Sequence, residues 1–159
     1  MPDSKRELLR HTVATLAYRG GKALRGAPAN FPTFRLGDTT RTPIEILAHI
    51  GDLLDWMLHL LKGQHVWKSS GPGVWEVEVA RFFELLGRVD EHLALEEPLK
   101  TPPEKLFQGP IADAFTHVGQ ISILRRLAGS PVRGENYFKA DIAVGHVGSN
   151  QPPARVEFD

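Results

Sequence analysis

The chain has 159 residues, no cysteine, and 19 basic residues balanced by 19 acidic ones. This length fits one domain with its own core, so we expect a single domain over residues 1–159. The lack of cysteine excludes disulfides, thiolate zinc ligands and a cysteine nucleophile, and the even charge balance argues against a nucleic-acid partner.

The first helix is predicted from Ser4, as an N-cap whose capping box is completed by Glu7, to near Leu24. A loop rich in Gly, Pro and Asn follows it.

The second helix is predicted to begin behind Thr42, with Pro43 at its first position, and to reach about Lys62 before Gly63. Apolar residues recur along it at every third or fourth position, which predicts one buried face. That face consists of Ile46, Ile50, Leu53, Leu54, Met57 and Leu61.

The third helix is predicted over about Val74 to Leu95, and the fourth has Pro110 near its start and Gly129 just past its end. The apolar stripe of the third helix is Phe82, Leu85, Leu86, Val89 and Leu93. No strand and no internal repeat is predicted. Four helices of about 20 residues, each with one apolar face, predict an all-α four-helix bundle with its core over about residues 4–130.

Residues 131–159 form an irregular tail that is rich in Gly and Pro. Its scattered apolar residues, among them Tyr137, Phe138 and Ile142, make it too apolar for a disordered segment. We expect an extended tail packed on the bundle; the alternative is a lid over a pocket.

The N-terminal residues 1–21 are charged and have no long apolar stretch or small-residue cleavage site, which argues against a secretory signal. No run approaches the ~18 apolar residues of a membrane span. We therefore expect a cytoplasmic protein with no membrane partner.

Polar residues interrupt the apolar faces of the second and fourth helices. His49 lies in the stripe of the second helix, and Asp113 and His117 lie one turn apart on the fourth. If buried, the three groups are costly unless mutually satisfied, and a divalent cation between the helices would satisfy all three. Imidazole and carboxylate suit zinc and other first-row metals, and three protein ligands leave a position open for water or substrate.

The spacing leaves other interpretations open. Asp113 and His117 could form only a hydrogen bond on a partly exposed face, with His49 a core histidine. Gln120, one turn beyond His117, is predicted either to hydrogen-bond a ligand or to cap a polar seam. Asp141 and His146 of the tail reach the site only if the tail folds over it.

The remaining polar candidates are interpreted as surface residues. Asp52, Asp55 and His59 are expected on one solvated face of the second helix, and Arg125 and Arg126 are expected to face solvent, with Arg125 a minor candidate for an anionic substrate group. The other unpartnered histidines are His11, His65 and His92.

Three segments resemble the DinB-like (DinB/YfiT-like) superfamily of metal-binding proteins. "TPIEILAHIGDLLDWMLHLL" is similar to its second helix, in which a histidine is a metal ligand. "FTHVGQISILRRLAG" is similar to its fourth helix, in which a histidine before x-G-Q is another ligand, and "VWEVEVARFFELLGRVDEHLA" is similar to its third.

The resemblance implies helices in up-down-down-up order and a divalent metal held by His49 and His117. Zinc is the first expectation, with nickel, iron or manganese as alternatives. The family usually has a third histidine one turn before the last ligand, where this chain has Asp113. Asp113 is therefore either a ligand or a residue beside a weak or absent metal site. The resemblance also implies a homodimer, for which Trp56, Trp67 and Trp75 are candidate anchors.

The function that the resemblance implies is a metal-dependent thiol S-transferase or hydrolase acting on a small molecule. A low-molecular-weight thiol or water on the metal would be the nucleophile, and Asp113 would be a ligand or the base. The alternative is a non-catalytic dimeric bundle that binds a metal or a small molecule.

Overall fold

Four long helices and a small two-stranded sheet make up the fold of residues 3–158, which the computed structural model describes. The long helices are α1 (Ser4–Leu24), α2 (Pro43–Leu61), α3 (Trp75–Leu93) and α5 (Ala112–Leu127). One helical turn, α4 (Pro103–Leu106), and a π-helix (Phe107–Ile111) lead directly into α5. The prediction of an all-α protein is confirmed.

The caps of the first two helices explain where they begin. α2 begins as predicted, behind Thr42 and with Pro43 in its first turn. It also has a capping box that was not predicted: the Thr42 hydroxyl accepts from the Glu45 backbone N–H, and the Glu45 carboxylate accepts from the Thr42 backbone N–H. The capping box predicted for α1 is wrong: its N-cap is Asp3, whose carboxylate accepts from the backbone N–H groups of the next turn, and Ser4 is the first helical residue. A carboxylate at this position also complements the positive end of the helix dipole.

The fourth helical segment starts earlier than predicted. Helical structure begins at Pro103 and passes through Pro110 instead of beginning there. Proline has no N–H and its ring clashes with the carbonyl four residues earlier, and the wider π turn is where the chain accommodates it. The end agrees with the prediction, because Gly129 adopts a left-handed φ of 83° just past the helix.

The bundle core lies among the four long helices. Both α1 and α2 pack against α3 and α5. Every apolar residue predicted for the buried faces of α2 and α3 is buried, from Ile46 to Leu61 and from Phe82 to Leu93.

The tail packs on α1, as expected. Glu135 is buried, accepts a hydrogen bond from the Tyr18 hydroxyl, and lies 2.6 Å from Lys22 Nζ. Further along, Val147 joins the core.

The expectation of no strand is wrong in detail, because β1 (Gly134–Glu135) pairs antiparallel with β2 (Glu157–Phe158). Two-residue strands are too short to leave a periodicity in the sequence. A membrane span requires a long apolar helix, and no helix within residues 3–158 meets that requirement.

Candidate metal centre

Three potential ligands converge between α2 and α5. His49 projects from α2, and Asp113 and His117 project from adjacent turns at the start of α5. Asp113 Oδ2 lies 3.7 Å from His49 Nε2, and Asp113 Oδ1 lies 3.4 Å from His117 Nε2. One ligand atom of each residue lies within 4.8 Å of the others. No other group of three such residues forms among residues 3–158.

The donor set fits a divalent cation. Tetrahedral bonds of about 2.0–2.1 Å place neighbouring ligand atoms roughly 3.3 Å apart. The two separations that involve Asp113 come within about 0.5 Å of that value, but they are made by its two different oxygens. Ligand atoms taken one per residue lie within 4.8 Å of one another, so the side chains would draw closer around a tetrahedral ion. The imidazole rings of His49 and His117 stand perpendicular, with centroids 4.7 Å apart, so they do not stack.

The site lies at the edge of the bundle. The side chains of His117 and His49 are 12% and 22% exposed, whereas that of Asp113 is 47% exposed. The carboxylate is therefore only half-buried, as in the alternative in which Asp113 and His117 lie on a partly exposed face. Asp113 begins α5 on its solvent side, so water and small molecules can approach the cluster from there.

Gln120 contacts Nδ1 of His117, the ring nitrogen that does not face Asp113. Its Oε1 lies 2.7 Å from His117 Nδ1. When Nδ1 carries the proton and donates it to Gln120, Nε2 keeps its lone pair and faces Asp113. Hydrogen bonds of this type orient imidazoles that bind metals.

Burial lowers the pKa of His49, and the nearby His117 and Arg41 lower it further, although Asp113 and Asp52 oppose the shift. The imidazole is therefore neutral at neutral pH, which is the form that binds a metal.

Trp67 covers one side of His49. Its indole meets the imidazole edge-on with centroids 5.7 Å apart, and it packs in the same way on Trp56 at 5.9 Å. The loop that carries Trp67 is tied to α2, because the Ser70 backbone N–H and hydroxyl both donate to Asp52. The sequence signalled Trp67 only as an anchor for a dimer.

Asp52 does not belong to a solvated face, contrary to the prediction. It is 3% exposed, and its Oδ1 lies 2.8 Å from Arg81 Nη2. Asp55 and His59 do remain together at the partly exposed edge of α2, 3.6 Å apart, and no third ligand joins them among residues 3–158.

Arg125 is the second surface prediction that is wrong. It is 5% exposed, and its guanidinium donates to the carbonyls of Ala23, Arg25 and Ser130. The last carbonyls of a helix lack partners within the helix, and Arg125 supplies donors for those of α1. Arg126 is exposed, as predicted.

The two tail candidates lie apart from the cluster. Asp141 pairs with Arg155 at 2.6 Å, and His146 contacts the carbonyl of Asn150. Neither residue belongs to the group of converging ligands.

A groove of about 360 Å³ opens beside His117. Its walls are mostly apolar and include Ile46 and Leu124, and Arg41 and Gln120 line it as well. An Arg at its edge suits a substrate with an anionic group.

We compared the chain with family models, with curated proteins and with solved structures, and none of them matches.

Proposed function

We propose that this chain is a divalent-metal enzyme of the DinB-like superfamily that acts on a small molecule as a thiol S-transferase or hydrolase. One observation carries the proposal: two imidazoles and a carboxylate from two different helices bring their ligand atoms within 4.8 Å. We also propose the cytoplasm as its compartment and one domain over residues 1–159.

The proposal includes the up-down-down-up order of the helices. Contacts between α1 and α3 support antiparallel directions, because Arg10 near the start of α1 pairs with Asp90 near the end of α3, whereas Gly20 lies beside Phe82.

Contacts of α5 support the rest of the order. Arg125 near the end of α5 donates to Ala23 near the end of α1, which favours parallel directions for this pair. Along α2, His49 faces His117, and Trp56, two turns later, faces Gly109, which favours antiparallel directions for α2 and α5.

His49 and His117 would hold the metal through Nε2, and Asp113 would be the third ligand or the base beside them. A divalent cation supplies Lewis-acid chemistry when bound, lowering the pKa of a thiol or water next to it. Asp113 offers the exposed carboxylate oxygen that can accept the released proton, while Gln120 orients His117. Trp67 keeps water from one face of His49.

Zinc isotherms on metal-free, untagged protein test the site. We expect one Zn²⁺ per chain in the wild type and a loss of affinity of more than about 100-fold in His49→Ala and in His117→Ala, since each removes a direct ligand. His59→Ala is the matched control, because His59 also pairs with an aspartate four residues earlier but has no third ligand in the described part of the chain. Absence of stoichiometric binding, or an equal loss in the control, would refute the metal centre.

A non-catalytic metal-binding bundle is the second candidate. It is favoured by the composition of the cluster, which consists, within residues 3–158, of two histidines and a single carboxylate, that of Asp113. If Asp113 is a ligand, it is no longer free as a base. Metal-loaded protein that transfers no thiol to electrophilic substrates and hydrolyses no ester or amide would support this candidate.

A further inference from the structure

A second, larger groove lies between α1 and α5, away from the three converging ligands. Its volume is about 660 Å³, and the start of the tail lines it through Val132 and Tyr137. None of its lining residues belongs to the metal cluster. Its volume falls within the range of about 300–1,000 Å³ that small-molecule sites occupy.

Small residues on α5 leave open space in the groove. Gly119 and Ser122 line it, and a Cβ added at Gly119 would meet no atom within 4 Å. Apolar side chains form the walls, among them Ile123 and Phe107, which are both 50% exposed. The groove therefore offers apolar surface to a ligand that can enter it.

Among the residues that the structure describes, the charged side chains of the lining have one sign. Arg19, Arg126 and Arg133 line the groove, and no acidic residue within 3–158 does, although the whole chain has no net charge. The Arg19 guanidinium lies 4.1 Å from the centroid of the Tyr137 ring, which holds it beside the groove. Arg133 is already paired with Glu157, at 3.3 Å. We therefore expect an anionic ligand to pair with Arg19 and Arg126.

We propose that this groove binds a small amphipathic anion: an acyl or aryl body that carries a terminal carboxylate or phosphate. The body would lie along Ile123 and over Gly119, and the anionic end would face Arg126 and Arg19. Guanidinium groups bind both anions through paired N–H donors, so the two head groups share one chemistry. The site does not depend on the metal centre.

Calorimetric titrations at low salt test the groove. The probes are decanoate and decyl phosphate, and decylamine is the cationic control with a chain of the same length. We expect each anion to bind with one molecule per chain, and the tighter of the two shows whether the natural ligand carries a carboxylate or a phosphate. Decylamine should bind at least about 10-fold more weakly, because exposed charges of opposite sign attract and like charges repel at low ionic strength.

Variants then locate the site. Gly119→Leu fills the groove on a helix that tolerates leucine better than glycine, and we expect it to weaken decanoate binding by more than about 10-fold. Gly87→Leu is the matched control, since an added Cβ at Gly87 in α3 also meets no atom and Gly87 does not line the groove. Arg126→Gln should weaken binding by about 3- to 10-fold.

Each of these titration results would overturn the proposal: no saturable binding to the folded wild type, equal binding by Gly119→Leu and the wild type, or decylamine binding as tightly as decanoate. A dimer that dissociates in Gly119→Leu would also overturn it, because a second copy would then occupy the groove. Zinc affinity should be unchanged in Gly119→Leu, which keeps this test separate from that of the metal centre.

Discussion

Asp113 is the residue that determines whether the site has three ligands or only the two histidines. Its carboxylate lies 3.4 and 3.7 Å from the two imidazoles, yet its side chain is 47% exposed. If it is a ligand, Asp113→Ala removes a donor and a balancing charge, and zinc affinity should fall by more than the roughly 10–100-fold that follows the loss of an outer partner. Asp113→His offers an imidazole on the same turn and should retain the metal.

Isotherms with Zn²⁺ and Ni²⁺ on the wild type and both variants measure this effect. Urea unfolding of the metal-free variants is the control, because an exposed residue that holds no metal should change stability by less than about 0.5 kcal/mol. Equal affinity in the wild type and Asp113→Ala would remove Asp113 from the site.

Polar residues were predictable from the sequence where they interrupt an apolar stripe. His49, Asp113 and His117 were found in this way, because each breaks a helical periodicity. Asp52 and Arg125 gave no such signal. Asp52 is satisfied by Arg81 and Ser70, and Arg125 by the carbonyls at the end of α1, and these partners are close only after the helices have packed.

At the scale of elements, capping residues, prolines and glycines near the helix ends determine where the helices begin and end. A boundary was predicted wrongly where two such residues favour different positions. The Thr42 capping box fixed the start of α2, because both of its residues lie within one turn. Pro110 normally marks a helix start, but here a π turn accommodates it inside a longer helical segment. The tail's course on α1 depends on Glu135 meeting Tyr18 and Lys22, which lie more than a hundred residues away in the chain.

The contact between the tail and α1 predicts a dependence of stability on pH. Burial, followed by the hydrogen bond to Glu135, raises the pKa of Tyr18 well above its usual value. An acid whose pKa is higher in the folded state stabilises that state below its unfolded pKa of about 10, and this contribution declines as pH rises beyond it. Tyr18→Phe should therefore lower the free energy of unfolding by about 1.5–3 kcal/mol at pH 8, and by less at pH 11.

Urea unfolding of the wild type and Tyr18→Phe at both pH values gives the two differences. Tyr137→Phe is the control, since Tyr137 packs edge-on against Tyr18 but its hydroxyl makes no hydrogen bond among the described residues. A difference for Tyr18→Phe that stays the same or grows between pH 8 and pH 11 would contradict the assigned contact.

At the scale of the whole molecule, the three tryptophans bear on whether two copies associate. All three candidate anchors contact aromatic rings of their own chain: Trp75 meets Phe31 edge-on at 5.8 Å, and Trp56 meets Trp67 at 5.9 Å. Trp67 remains 48% exposed. We predict a homodimer, with Trp67 as the one tryptophan that offers much of its surface to a partner.

Sedimentation velocity at micromolar concentrations should then give a mass of about 35 kDa, twice the 17.7 kDa of one chain. Trp67→Ser should shift the wild-type dimer towards the monomer, because aromatic anchors often carry a large share of the binding free energy of an interface. Leu8→Ser is the control on α1, where Leu8 is 67% exposed. If only Leu8→Ser dissociates the dimer, the interface lies on α1, and if the wild type sediments as a monomer at every concentration, the dimer prediction is wrong. A dimer held through Trp67 would also cover the side of His49 that this indole shields, so the two copies would control access to the metal centre from that side.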